Sequence, residues 1–249
     1  MNQNRVIIIL AAVVVVLGLG YLAYTQFGAS AEAELASADV MTADSALEKE
    51  LLVPGPLGDM TMGEKDAPVV VIEYSSMTCP HCADFNNQTF PDLKKTYIDT
   101  GKVYFISRPF PFDSAATAAF MLAFCAGPER YFGFVDVLFE QQRQWILADD
   151  PMAALEKIAR QGGFSKEQFQ QCMQNGEVFD HISKVAKRGA EEFNIRSTPT
   201  FFINGQMVQG FMSWKEFQPL VEKALEGKDI TKSEPEGETT PQDEAPGEE

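Results

Sequence analysis

Two cysteines separated by two residues carry the clearest chemistry in this chain, in the run Cys79-Pro80-His81-Cys82. Proline is well tolerated in a first helical turn, so we expect a helix to begin here. Unpaired backbone N–H groups and the positive end of the helix dipole would favour the Cys79 thiolate, and a protonated His81 would add to this. Cys82, one turn further on, would be shielded and would act as the resolving thiol. The spacing therefore predicts a redox-active pair that forms mixed disulfides through Cys79.

A static disulfide or half of a zinc site are the alternatives for such a pair. Zinc needs two more ligands, and only His181, Cys125 and Cys172 remain, all distant in the sequence. We interpret His181 as a residue on a helix surface. No metal and no organic cofactor is therefore expected, because the disulfide itself carries the two electrons.

The residues around the motif predict the elements that position it. Val69–Tyr74 is β-branched and almost continuously apolar, as is typical of a strand covered on both faces. The helix is expected to continue to about Tyr97, bent or interrupted at Pro91. A second strand is expected at Lys102–Arg108, which completes a strand–helix–strand unit.

A long helical block separates this unit from a second group of elements. Residues 114–194 show helical periodicity, Thr200–Gly210 predicts a hairpin with an Asn-Gly turn, and Ser213 begins a capping box for a last helix. The order predicts an α/β fold with a mixed sheet and helices on both faces. The helical domain, at about 113–194, is inserted between the βαβ and ββα halves.

The runs IEYSSMTCPHC (Ile72–Cys82) and RSTPTFFING (Arg196–Gly205) resemble the thioredoxin-fold proteins of the DsbA type, which are exported thiol:disulfide oxidoreductases of bacteria. The Cys-Pro-His-Cys tetrad matches that family position by position, and the resemblance covers about residues 57–228. The family also carries a helical insertion in the same place. The resemblance implies a thioredoxin-like fold and dithiol–disulfide exchange.

The same resemblance implies further site residues. Thr198-Pro199 matches the family's cis-proline position, where the Thr198 backbone would pair with an extended substrate. Glu73 matches a buried acidic residue whose raised pKa would let it relay the proton of Cys82. The alternative is an edge-strand glutamate that points to water. Met77 flanks the motif, and we expect it to line an apolar groove for clients.

The amino end predicts an exported protein. Val6–Tyr24 is a run of 19 uncharged residues, which as a helix spans roughly 28 Å, about the hydrocarbon thickness of a bilayer. Arg5 precedes the run and Lys49 is the next basic residue, so the chain after Tyr24 should lie outside the cytoplasm. We interpret residues 1–27 as an anchor in the bacterial inner membrane. The alternative is a signal peptide cleaved after Ala31, which would leave a periplasmic protein.

The net charge of −16 belongs mainly to the two flanks. Residues 28–56 are predicted to be an acidic flexible tether, and residues 229–249 a disordered acidic tail. Residues 67–228 hold 16 basic and 19 acidic side chains without a basic cluster, which excludes nucleic-acid binding.

Cys125 and Cys172 make up the second pair of cysteines, and both lie in the helical block. In an oxidising compartment we expect them to form a structural disulfide. Two buried free thiols are the alternative.

These observations predict a periplasm-facing thiol oxidase that donates the Cys79–Cys82 disulfide to unfolded exported proteins. A membrane partner resembling DsbB would reoxidise it, and we expect a monomer. A disulfide isomerase or reductase of the same fold is the nearest alternative. A non-catalytic chaperone for clients is the alternative from another class of protein.

Overall fold

The computed structural model describes residues 47–231. The chain divides into two compact units between Val53 and Pro54. In the first unit, residues 47–51 are helical. The predicted membrane anchor, most of the tether and most of the acidic tail lie outside the described residues. Within residues 47–231, no helix combines the length and apolar character needed to cross a membrane.

A five-stranded mixed sheet forms the centre of the second unit, in the order β1-β3-β2-β4-β5. The central strand β2 runs parallel to β3 and antiparallel to β4, and the edge strands β1 and β5 are each antiparallel to their neighbours. The strands are β1 (Met60–Met62), β2 (Val69–Ser75), β3 (Val103–Pro109), β4 (Thr200–Ile203) and β5 (Gln206–Gln209). The predicted mixed sheet is confirmed, with β1 as an additional strand. Three residues are too few for an alternating pattern to show in the sequence.

The first helix of the second unit, α1, covers residues 80–98 and is not a regular α-helix. It consists of α-helical Pro80–Asp84, π-helical Phe85–Thr89, α-helical Phe90–Leu93 and π-helical Lys94–Ile98. The first wide turn ends directly before Phe90-Pro91. A proline lacks an N–H and its ring crowds the carbonyl one turn earlier, so a local change in hydrogen bonding there is expected. The predicted interruption at Pro91 is thus present.

Six helices form the insertion between β3 and β4. They are α2 (Ser114–Cys125), α3 (Pro128–Glu140), α4 (Gln142–Ile146), α5 (Pro151–Gln161), α6 (Lys166–Met173) and α7 (Gly176–Glu191). Asp113, Asp150 and Asn175 cap three of them by accepting backbone N–H groups, and Ser165 forms the predicted capping box of α6. The insertion is therefore helical throughout, as predicted.

The last part of the fold is a hairpin followed by a helix. Asn204 and Gly205 both have positive φ, 45° and 81°, which suits the tight turn between β4 and β5. Ser213 then forms the predicted capping box of α8 (Trp214–Leu225).

Helices cover both faces of the sheet. On one face Phe201 of β4 packs against Phe85 of α1 and Phe217 of α8, with ring centroids 4.6 and 5.2 Å apart. On the other face α7 lies so close that a Cβ added at Gly189 would come within 3.0 Å of Tyr74. The central strand β2 is therefore enclosed, and it ends at the loop that leads to Cys79.

Candidate active site

Cys79 and Cys82 occupy different environments at the amino end of α1. Cys79 is the N-cap residue with extended backbone, followed by Pro80 in the first turn. Its side chain is half-buried, whereas Cys82 is fully buried, and both are free thiols. The predicted helix start is confirmed, and only Cys79 is open to a partner.

The pKa of Cys79 is lowered to about 5. The largest cause is a hydrogen bond from Cys82, followed by one from the Thr198 hydroxyl and by the backbone N–H groups of Cys82 and His81, while partial burial opposes them. Donors stabilise the charged thiolate more than the neutral thiol. Cys79 is therefore ionised at neutral pH.

The pKa of Cys82 is raised well above its usual value, first by burial and then by its hydrogen bond to Cys79. The negative charges of Glu73 and Cys79 add to the effect. The two thiols thus differ strongly in acidity, as an attacking thiolate and a protected second thiol require.

Glu73 lies in the middle of β2, where it pairs with Ser107 of β3 and Phe201 of β4. Its pKa is raised to about 8, mainly by burial and secondly by the charge of Cys79. One carboxylate oxygen, Oε1, is buried without a hydrogen-bond partner among the described residues. The alternative of an edge-strand glutamate is wrong, because β2 is the central strand.

Thr198 and Pro199 are joined by a cis peptide bond beside Cys79. The Cys79 thiol donates to the Thr198 carbonyl oxygen over 3.3 Å. Apart from its interaction with Cys79, the buried Thr198 hydroxyl has no hydrogen-bond partner among the described residues. The fold therefore brings together two segments that are 119 residues apart.

Pro80 and His81 are exposed. No hydrogen bond joins the His81 imidazole to Cys79 within residues 47–231. The stabilisation that His81 supplies to the Cys79 thiolate comes from its backbone N–H.

Met77 was expected to line a groove for clients, and this prediction is wrong. Its side chain is fully buried in the hydrophobic core. The helical insertion also covers the backbone of this residue, because its carbonyl accepts a hydrogen bond from the buried Gln142 side chain. Gln142 is a residue that the sequence analysis missed, because a glutamine in a helix carries no motif.

Two further polar residues near Glu73 were also missed. The Tyr131 and Ser107 hydroxyls are 3.2 Å apart. Burial raises the pKa of Tyr131, and the charge of Glu73 contributes to the increase. The buried surroundings of Glu73 are thus partly polar, and only the pairing of β2 with β3 reveals them.

Cys125 and Cys172 form a disulfide, with their Cα atoms 6.0 Å apart and a sequence separation of 47. It joins the carboxyl end of α2 to α6. The alternative of two free thiols does not hold in this structure.

His181 was interpreted as a surface residue, and this is also wrong. It is 1% exposed on α7, and its Nδ1 accepts the Leu57 N–H over 3.0 Å. Burial lowers its pKa, with Asp59 opposing the shift and Arg108 adding to it. The sequence could not show this burial, because it comes from a tertiary contact: residues 55–57 cross α7 and cover the imidazole. The contact is so close that a Cβ added at Gly55 would lie 2.6 Å from the His181 ring.

No group of three or more His, Cys, Asp or Glu side chains is arranged to hold a metal ion in the described part of the chain.

A mixed sheet whose central strand leads into a Cys-x-x-Cys helix, with a cis-proline against the first cysteine, defines a thioredoxin-fold protein with a redox-type site. A family model described as thioredoxin matches residues 57–223. The chain belongs to the thioredoxin family.

Solved structures place it near DsbA proteins. The crystal structure of Wolbachia pipientis alpha-DsbA1 is 32% identical, with a TM-score of 0.67, and the match covers 72% of this chain and 96% of that one. BdbD from Bacillus subtilis, in its oxidised form, is 25% identical with a TM-score of 0.60, over 70% and 96% of the two chains. The resemblance to DsbA-type proteins and the fold class are confirmed.

Relatives in sequence carry names of the same kind. A putative protein-disulfide oxidoreductase of Rickettsia bellii is 32% identical over 169 residues, which are 68% of this chain and 65% of that protein. Disulfide bond formation protein D of Bacillus subtilis is 27% identical over 186 residues, 70% of this chain and 81% of that protein. The match therefore spans slightly less than two thirds of the Rickettsia protein.

Proposed function

We propose that this chain is a periplasm-facing, membrane-tethered thiol oxidase that donates its Cys79–Cys82 disulfide to exported proteins. The observation that carries the proposal is that the two thiol pKa values change in opposite directions. The pKa of Cys79 is lowered to about 5, and the pKa of Cys82 is raised. A stabilised Cys79 thiolate favours the reduced form of the pair, which makes its disulfide a stronger oxidant. The names of the relatives support the same reaction class.

The exchange takes place in two steps. A client thiolate attacks the Cys79 sulfur of the oxidised pair, the Cys79–Cys82 bond breaks, and Cys82 leaves as a thiolate that takes up a proton. A second client thiolate then attacks the client sulfur of the mixed disulfide and releases Cys79. Two electrons have moved from the client to the pair, and Cys79 leaves readily because its pKa is low.

Glu73 would supply and recover the proton of Cys82. With a pKa of about 8, its carboxyl group is mostly protonated at neutral pH and can still lose its proton. Its charge acts on both cysteines. Thr198 would hold the client, because its backbone lies beside the Cys79 sulfur, where an extended peptide can pair with it.

The compartment and the partners are inferred from the sequence and from one structural feature. The apolar run Val6–Tyr24 supports export and tethering. The Cys125–Cys172 disulfide supports an oxidising compartment. A membrane protein resembling DsbB would return the pair to its disulfide form, since each exchange leaves the chain reduced.

The test is stoichiometric oxidation of a reduced, unfolded protein by the oxidised full-length chain. We expect one disulfide to appear in the client for each Cys79–Cys82 disulfide lost, counted by mass after alkylation of all thiols. Reduced Cys82→Ser, mixed with the disulfide form of the same client, should accumulate a mixed disulfide between Cys79 and the client and release one client thiol, because no Cys82 thiol remains to resolve it. Cys79→Ser should abolish transfer.

The same experiment separates the proposal from chaperone activity. If Cys79→Ser promotes refolding of the client as well as the wild-type chain does, client binding is the function and the oxidase proposal is wrong.

A further inference from the structure

Gln142, the first residue of α4, reaches from the helical insertion to the loop in front of Cys79. Its side chain is buried, at 5% exposure. Nε2 donates to the backbone carbonyl of Met77 over 2.9 Å and to that of Cys79 over 2.8 Å. An amide NH₂ has two hydrogens, so this contact uses its full donor capacity.

The two carbonyls lie on either side of Thr78 and Cys79, so the contact fixes the peptide plane before Thr78 and the one after Cys79. The Cys79 carbonyl also accepts the Ala83 N–H of the first helical turn. The Met77 carbonyl has Gln142 as its only hydrogen-bond partner within residues 47–231. Without Gln142, this buried carbonyl would be left unsatisfied and the loop would have to reorganise.

The insertion holds the same loop from a second direction. The Thr78 hydroxyl donates to Asp113 Oδ2 over 2.6 Å, and Asp113 is the N-cap of α2. Asp113 thus fixes a side chain of the loop, while Gln142 fixes its main chain.

The contact also has an electrostatic consequence for the nucleophile. The Cys79 carbonyl oxygen carries partial negative charge close to the sulfur of the same residue. The amide hydrogens of Gln142 offset that charge in a half-buried site, where such interactions are stronger than in water. Removing them would leave the carbonyl dipole to oppose the thiolate.

We propose that Gln142 is a positioning residue for the exchange reaction: it holds the Met77 and Cys79 carbonyls so that the Cys79 sulfur faces Thr198 in its ionised, reactive form. This role rests on the proposed disulfide exchange. It assigns to the helical insertion a part in setting the reactivity of Cys79.

The experiment compares the alkylation of Cys79 by iodoacetamide, as a function of pH, in reduced full-length chains. Gln142→Met keeps the length of the side chain and removes both donors. We expect the midpoint of the rate profile to rise by about one pH unit, so that the rate at pH 5 falls about fivefold. At pH 9, where Cys79 is ionised in both chains, the rates should coincide. A general loss of structure would alter the rate at every pH.

Thr89→Val is the matched control. The Thr89 hydroxyl donates to the Met212 carbonyl over 2.8 Å from a fully buried position, ten residues after Cys79 on the same helix. Its replacement removes one buried hydrogen bond to the backbone and should leave the midpoint unchanged. If Gln142→Met also leaves the midpoint unchanged, the proposal is wrong.

Two further measurements keep the test decisive if Gln142→Met does not fold. Gln142→Glu has the same shape, but its carboxyl group, buried against two carbonyl oxygens, is protonated where Cys79 titrates, as that of Glu73 is, and offers one donor instead of two. Its midpoint should therefore lie above that of the wild type, and a midpoint equal to the wild-type value would overturn the proposal. In the wild-type chain, the NMR signals of the Gln142 side-chain amide should shift with the Cys79 midpoint. Signals that do not follow the Cys79 titration would overturn the proposal.

These measurements do not depend on a client. If the wild-type chain oxidises no client but Gln142→Met shifts the midpoint, the proposed function fails and the positioning role stands. If the wild type oxidises clients and the midpoint does not move, only the positioning role fails.

Discussion

The hydrogen bond between Cys82 and Cys79 lowers the pKa of Cys79 and raises that of Cys82. One contact therefore prepares both thiols: the half-buried sulfur becomes a thiolate and a good leaving group, while the buried sulfur keeps its proton. Because Glu73 raises the pKa of Cys82 further, proton transfer at Cys82 is the step that needs assistance.

Replacing Glu73 by Gln should separate the acidity of Cys79 from the proton transfer at Cys82. Glu73 has a pKa of about 8 and is protonated where Cys79 titrates, near pH 5, so Glu73→Gln should leave the Cys79 midpoint within about half a pH unit. When Cys82 attacks a mixed disulfide between Cys79 and a client, the client thiol should be released about tenfold more slowly at pH 7, because the variant lacks the general base that takes the proton of Cys82. Alkylation profiles and stopped-flow release rates measure the two effects. An unchanged release rate would exclude the proton relay.

Thr198→Val and His81→Ala should differ in their effect on the Cys79 midpoint. Loss of the buried Thr198 hydroxyl removes a donor to the Cys79 thiolate and should raise the midpoint by up to about one pH unit. The backbone N–H through which His81 stabilises the thiolate survives the substitution, so His81→Ala should leave the midpoint unchanged. Alkylation profiles measure both variants, and a rise in His81→Ala as large as that in Thr198→Val would contradict this account.

Removing the second disulfide should affect stability and spare the exchange. For a loop closed across 47 residues, the chain-entropy model gives about 4 kcal/mol. The variant Cys125→Ala/Cys172→Ala should lose about this amount in urea unfolding and still transfer the Cys79–Cys82 disulfide. Loss of transfer in a folded variant would show that the second disulfide takes part in the reaction.

His181 should make the protein less stable in acid. Its pKa in the folded chain lies below the usual value. Its contribution to the stability of the folded chain is therefore fully present above pH 6.5 and is lost as the pH falls through the pKa of the folded state. His181→Leu should be less stable than the wild type at pH 7, by about 1–3 kcal/mol, because the Leu57 N–H loses its acceptor. Its stability should fall less between pH 7 and pH 5. If urea unfolding shows that the wild type and His181→Leu lose the same amount of stability between pH 7 and pH 5, this prediction is wrong.

Local chemistry explains what could be predicted from the sequence. Cys79-Pro80 marks a helix start because proline suits a first turn, and Val69–Tyr74 marks an enclosed strand because it is almost continuously apolar. Capping boxes at Ser165 and Ser213 predict helix starts for the same local reason.

Tertiary packing explains what could not be predicted. Met77 and His181 are buried by segments that are remote in sequence, and the burial of neither is visible in its own neighbourhood. Gln142 is 63 residues from Cys79 and meets it only because the insertion folds back over the loop.

The reduction potential of the Cys79–Cys82 pair, measured on the full-length chain against glutathione, tests the central claim most directly. The low pKa of Cys79 stabilises the reduced pair, so we predict a value near that of a strong oxidant, about −120 mV. A value near about −180 mV would favour a disulfide isomerase. A value near about −270 mV would identify a reductase and would contradict the proposed oxidase.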